Sequence, residues 1–344
     1  MIGKLLAACA VLFGVLSAPA AAQTAPRNVV LVTIDGYRWE ELFRGADPTL
    51  VTEPAARARY VDVPDRAQAL TPFLLSFAQT GVLIGDRDHG SCARVTNDFW
   101  FSYPGYAEML EGHPNPHIRA NHAGPNPEVT VLERLIRRPE FADQVRVYAE
   151  WNVVPDILNV ERSHIPVFNP PDESAPHDPQ VIARAREVFA QLPRVTWIAL
   201  GDTDNRAHER NYEAYLAAAM AADDFLRALW DAIEADPRTA GHTTLIVTAD
   251  HGRGASAGGR WSGHGSGRWR GLIVPGLRHV GSDAVFIAAR GPGVVATNAY
   301  DMDHCATSAQ VAATLLQSLG LLNEERQPDM AAPLTIFAPT VASQ

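Results

Sequence analysis

Seven side chains spread along the sequence could together perform metal-assisted chemistry: Asp35, Ser102, Asp204, His208, Asp250, His251 and His264. Asp250 and His251 are adjacent, and Gly252 after them allows a sharp turn. A carboxylate beside an imidazole offers two ligands to a divalent cation. Asp204 and His208 are four apart, so one helical turn puts both on one face, able to grip a single ion. His264 lies in a glycine-rich loop, Trp261-Ser262-Gly263-His264-Gly265, that can fold back to the same place. Ser102 precedes Pro104, a residue suited to a first helical turn, and the segment closes at Gly112. There its hydroxyl sits where backbone N–H groups and the helix dipole favour an anion, a fitting place for an oxygen that attacks a phosphoryl group. Each piece also has a plainer reading. Asp35 and Asp250 can be turn residues, Ser102 a simple N-cap and His264 a solvated loop residue. Three carboxylates and three imidazoles beside one serine suit two divalent metals and a nucleophile only if the chain brings them together.

The segments before these residues are of the kind that would do so. Asn28–Ile34 and Thr243–Val247 are short β-branched apolar runs; the first runs straight into Asp35-Gly36 and the second, after Thr248-Ala249, into Asp250-His251-Gly252. Val195–Leu200 is a third such run, leading into Gly201-Asp202-Thr203-Asp204. Runs of this kind read as buried parallel strands, and ligands collect at the carboxyl ends of strands in open α/β sheets. Further strands are expected at Val82–Gly85, Val145–Tyr148 and Asp283–Ala289. Helices are expected at Ala69–Gln79, Val129–Arg138, His177–Leu192, Glu209–Ile233 and Ala306–Leu319. Residues 86–96, 115–127, 163–176 and 252–270 read as loops. Arg38 is close enough in sequence to be a partner for Asp35, and His304 reads as a cap-region residue. The fold class that follows is α/β, with a mainly parallel central sheet and helices on both faces.

Residues 1–22 read as a secretory signal peptide. Lys4 supplies the positive start, Leu5–Leu16 the apolar stretch and Ala20-Ala21-Ala22 the cleavage site. The apolar stretch is too short to span a bilayer comfortably, and no later one is long enough. Residues 23–344 are then expected to form one catalytic domain with loop insertions, secreted or periplasmic. The formal net charge of −10 argues against binding a nucleic-acid duplex or an anionic membrane. Bound metals can still reverse the sign locally for a small phosphorylated substrate. Removing the signal leaves Cys92 and Cys305, which an oxidising compartment would allow to pair if their backbones come close. Nothing in the sequence fixes an oligomeric state.

In their order along the chain, Asp35, Ser102, Asp204/His208, Asp250-His251-Gly252 and His264 resemble the alkaline phosphatase superfamily, in the branch of nucleotide pyrophosphatases/phosphodiesterases. The resemblance runs from Asn28 to about Gly320. It implies that Asp204, His208 and His264 hold one zinc and that Asp35, Asp250 and His251 hold the other, with Mn²⁺ as a substitute. Ser102 would bond to the second ion and form a phosphoserine. Asn121 falls where that branch places a phosphate-contacting Asn. Monoesterases of the superfamily add an Arg or Lys, for which Arg38, Arg119 and Arg206 are available. Sulfatases need Cys or Ser followed by x-Pro-x-Arg, and here Tyr106 stands where the Arg is required. A catalytically inactive, metal-stabilised binding protein is the alternative from a different class.

Overall fold

The computed structural model describes residues 27–170, 177–189, 193–269, 272–297 and 299–338. The expected signal segment, 1–22, lies outside them. Seven strands form the central sheet: β1 (Asn28–Ile34), β2 (Val82–Ile84), β3 (Val145–Ala149), β4 (Val167–Phe168), β5 (Val195–Leu200), β6 (Thr243–Thr248) and β7 (Ile287–Arg290). Their order across the sheet is β2-β7-β6-β1-β5-β3-β4. β6, β1, β5, β3 and β4 are parallel, whereas β7 runs antiparallel to both β6 and β2. Every residue of β1, β5 and β6 is buried. Because alternate side chains of a strand point to opposite faces, both faces of the sheet must be covered here.

Register does the positioning. Val29 of β1 lies opposite Val195 of β5 and Thr244 of β6, and Ile34 lies opposite Leu200. Asp35, Gly201 and Ala249 therefore leave three neighbouring strands at one edge. A cross-strand bond at depth holds this register: Trp197 Nε1 donates to Thr33 Oγ1 at 3.1 Å, so the buried indole N–H is not orphaned.

The helices that matter for this edge are α1 (Ser102–Glu111), α2 (Asp178–Phe189), α3 (Asp202–His208), α4 (Tyr212–Ala235) and α5 (Gln310–Leu319). α5 packs on β1 and on α1. α4 starts three residues later than its periodicity predicts, because the Asn211 side chain caps it by accepting the Ala214 N–H. The helix expected over Ala69–Gln79 is instead three short pieces, Arg66–Leu70, Pro72–Leu75 and Phe77–Thr80. Pro72 cannot continue the first piece and starts the second. Val131–Ile136 is a helix capped by Thr130, shorter than the predicted Val129–Arg138.

The single strand expected over Asp283–Ala289 divides in two. Ala284–Val285 pairs with Ala93–Arg94 in a small three-stranded sheet completed by Ala306–Thr307, and β7 then joins the main sheet. Accordingly α5 begins at Gln310, where the sequence predicts helix from Ala306. Cys92 and Cys305 form a disulfide beside the small sheet, with Cα atoms 4.8 Å apart. The loop expected over 252–270 contains the first strand of a hairpin, Ser266–Trp269 with Leu272–Arg278. Among the described residues no helix is long and apolar enough to cross a membrane.

Candidate metal centre

Ser102 opens α1, whose residues are all buried. Phe101 is the N-cap, in extended conformation and without a side-chain cap, so the serine hydroxyl is not spent on capping. Asn121 takes part of that task instead: its Oδ1 accepts the Tyr103 N–H at 3.1 Å. The helix reaches the sheet edge because residue 105 is Gly. A Cβ there would lie 2.3 Å from the Asp250 carbonyl oxygen, so only a bare backbone lets α1 lie against the end of β6. Ser102 Oγ thereby comes to 3.3 Å from His251 Nε2.

His251 is the hub. Its Nδ1 lies 2.8 Å from the Gly252 carbonyl and donates to it, which leaves Nε2 with its lone pair turned to the site. Nε2 is 3.3 Å from Asp35 Oδ1 and 3.4 Å from Asp250 Oδ2. Their second oxygens are held from behind. Tyr106 donates to Asp35 Oδ2 at 3.0 Å, and the Gly36 N–H donates to Asp250 Oδ1 at 3.1 Å. Thr203 Oγ1 donates to the Asp35 carbonyl at 2.6 Å, fixing the backbone at the strand end.

The other side chains converge beside this group. Asp204 Oδ2 is 3.1 Å from His208 Nε2, and Oδ1 is 3.7 Å from His264 Nε2. The two imidazoles present Nε2 to Nε2 at 3.0 Å. The rings of His251 and His264 are 4.1 Å apart between centroids, so the two groups adjoin. Two triads of ligand atoms are close enough to share an ion: Asp35/Asp250/His251 and Asp204/His251/His264. His208 is the most exposed member, its side chain 53% accessible, and completes the second group from the solvent side. All seven residues singled out in the sequence thus meet at one edge.

The charges here demand a cation. Burial pushes Asp35 and Asp250 upward, and each also feels a neighbouring carboxylate, Asp204 for the first and Asp35 for the second. Burial pushes His251 down, yet Asp250 and Asp35 outweigh it and raise the imidazole to about 9. Burial and the charge of His251 hold His264 well below its ordinary value. Burial also pushes Asp204 up, but the Arg253 guanidinium, with His208 and His264, holds it well below the usual carboxylate range. Asp35 Oδ1, Asp250 Oδ2 and His264 Nδ1 are buried without a hydrogen bond. Buried carboxylate oxygens crowded together without a hydrogen bond are costly in a protein interior unless positive charge lies among them. Oxygen and nitrogen donors in this arrangement fit a divalent metal ion.

Arg253 has no signal in the sequence beyond lying two residues after His251, yet it is a central side chain of the site. It is 1% exposed. Its Nη1 pairs with Asp204 Oδ1, its Nε donates to the Trp261 carbonyl at 3.0 Å, and its Nη2 donates to the Ser262 carbonyl. It therefore orients one ligand and tethers the loop that carries His264. Arg38, expected as a partner for Asp35, turns elsewhere: it pairs with Glu41 at 3.3 Å and Glu40 at 3.4 Å. Arg206 pairs with Glu209, and Arg119 donates to the Pro116 carbonyl.

A cleft of about 210 Å³ opens onto the centre, lined in part by Asp35, Ser102, Asn121, Asp204 and His208. A larger cavity of about 490 Å³, near Arg27, His242 and Phe337, lies at the opposite end of β1 and β6 and holds none of these groups.

A family model described as the metalloenzyme superfamily matches residues 177–322, the stretch that carries five of the six candidate ligands. That match covers less than half of the chain and agrees with the resemblance carried by the order of the motifs. Solved structures support the fold assignment. A Vibrio parahaemolyticus protein of the alkaline phosphatase superfamily is similar at TM-score 0.56 and 16% identity, over 92% of this chain and 71% of that one. A 2-O GAG sulfatase is similar at 0.56 and 14%, over 90% and 73%. Murine ectonucleotide pyrophosphatase/phosphodiesterase 5, an inactive variant in complex with AMP, is similar at 0.53 and 15%, over 86% and 95%. No curated protein sequence matches. At such identities the superfamily's fold is shared, and the reaction has to be argued from the centre itself.

Proposed function

We propose that the protein is a secreted or periplasmic two-metal phosphoric ester hydrolase, a phosphodiesterase or phosphatase, that acts through a phosphoserine on Ser102. One observation carries this reading. Ser102 Oγ lies 3.3 Å from the same His251 Nε2 that faces the orphaned oxygens of Asp35 and Asp250. The nucleophile therefore adjoins the place where positive charge is required.

Asp35, Asp250 and His251 would hold one ion, and Asp204, His208 and His264 the other. Such ions supply a lowered serine pKa and compensation for charge on the leaving oxygen. The chain's own part is positioning. α1 presents Ser102 Oγ to the phosphorus atom. The Ser102 O–P bond forms as the bond to the leaving alkoxide breaks, and the alkoxide departs as the alcohol. Water then cleaves the phosphoserine, returning the serine hydroxyl and releasing phosphate or a phosphomonoester. Asn121, at the cleft and bonded to the second residue of α1, would contact a phosphoryl oxygen with its amide.

Tyr106 weighs against the sulfatase alternative. It replaces the Arg that formylglycine formation needs, and its hydroxyl is committed to Asp35. The Cys92–Cys305 bridge supports an oxidising compartment. The test compares p-nitrophenyl phosphate, bis-p-nitrophenyl phosphate and p-nitrophenyl sulfate, with chelator and after Zn²⁺ or Mn²⁺ is restored. Hydrolysis of at least one phosphate ester, lost on chelation and regained with metal, is expected. Turnover of the sulfate alone would make the enzyme a sulfatase. A metal-replete sample inert to all three would make it a binding protein.

A further inference from the structure

The far wall of the cleft carries a carboxylate that the chemistry above does not use. Glu150 follows β3, lines the cleft with Trp151, Gly201 and Asn205, and has a side chain 10% accessible. Two donors converge on its Oε1: His177 Nδ1 at 2.5 Å and Asn205 Nδ2 at 3.0 Å. Oε2 is turned over Gly201, where a Cβ would come within 2.1 Å of it. Any side chain at 201 would displace the carboxylate; glycine lets it lie against the residue that precedes α3. The cleft lining contains no Lys or Arg among the described residues. Arg253, buried beside Asp204, is committed to that carboxylate and to two loop carbonyls.

We propose that Glu150 makes the site select singly charged phosphoric diesters over doubly charged monoesters. The inference rests on the phosphoryl-transfer reading given above. A monoester dianion brings one more negative charge into a cleft that the Glu150 carboxylate lines and whose lining, among the described residues, offers no Lys or Arg to receive it. A diester replaces that charge with a neutral ester oxygen and its substituent. Held in a partly desolvated cleft, a fixed unit charge shifts the balance between two such substrates by about tenfold.

The test uses the full-length metal-replete protein and the ratio of kcat/KM for bis-p-nitrophenyl phosphate to that for p-nitrophenyl phosphate. Glu150→Gln keeps the shape and both Oε1 contacts' geometry while removing the charge, and is expected to move the ratio toward the monoester by about tenfold. Glu150→Asp, which retains the charge, is expected to keep the diester preference. Metal content per chain, measured on each variant, should match the wild type, since Glu150 is not among the ligands. An unchanged ratio in Glu150→Gln overturns this inference alone, leaving the hydrolase reading intact. An equal shift in both variants would overturn it too, because geometry rather than charge would then be responsible. A wild type that hydrolyses neither ester removes the hydrolase reading and this inference together.

Discussion

A serine hydroxyl is a weak nucleophile near neutral pH, and what distinguishes Ser102 is its surroundings. It is 5% exposed, sits in the first turn of a buried helix and faces His251 Nε2. Ser102→Ala is expected to lower kcat by about 10³-fold or more, because the attacking oxygen is gone. It should leave two metal equivalents per chain and an unchanged melting temperature. Near-normal turnover in that variant would remove the serine from the mechanism. The candidate ligands are legible because their types and spacing are informative one motif at a time: adjacent Asp-His, Asp and His four apart, a lone His among glycines. The residues that hold those ligands in place are not. Tyr106 and Asp35 are 71 positions apart, Thr203 and Asp35 168, and Arg253 and Asp204 49. Each taken alone is an ordinary helix, strand-end or loop residue, and only the folded register makes it a support.

Between residue and site stands α1, which must approach the β6 edge closely. Its first turn is pressed against Asp250 through Gly105, and its far end is gripped by the loop before it. Buried Glu108 accepts from the Thr96 and Asn97 N–H groups at 2.8 to 3.0 Å and from the Thr96 hydroxyl at 2.7 Å. Gly105→Ala is therefore expected to push α1 off the sheet edge, since the added methyl would meet backbone that cannot rotate away. A displacement on the order of 1 Å should cost about 10²-fold in kcat and about 1–3 kcal/mol of stability, read by steady-state kinetics and denaturant melts. Wild-type kcat would show that the close approach has no part in placing Ser102. At this scale the sequence speaks clearly wherever a strand is buried on both faces, as in β1, β5 and β6. It is weaker where tertiary pairing decides. The 283–289 run gives no sign that Phe286 separates two strands of different sheets, and the Gly- and Arg-rich residues of the 266–278 hairpin carry little strand periodicity.

At the scale of the whole molecule, the small sheet ties chain segments that lie far apart, and the disulfide ties that sheet. Cys92 and Cys305 are separated by 213 residues. The Cys92 N–H donates to the Tyr300 carbonyl at 3.1 Å, and the Ala306 N–H donates to the Cys92 carbonyl at 2.9 Å. The strand after Cys92 then leads through Thr96 and Asn97, the donors to Glu108, into Ser102. The bridge thus closes a loop containing most of the candidate ligands and fastens the segment that leads into Ser102. A link across so long a loop stabilises chiefly by restricting the unfolded chain, by about 3–5 kcal/mol. The folded centre itself is held by the bonds already described, with or without it. Replacing both cysteines by serine is therefore expected to lower the melting temperature by about 5–15 °C, while kcat/KM measured well below the transition stays within about twofold of the wild type. The comparison separates two roles. An unchanged melting temperature would mean that the bridge does not constrain the chain, and a large loss of kcat at a temperature where the variant is fully folded would mean that it helps hold Ser102 against His251.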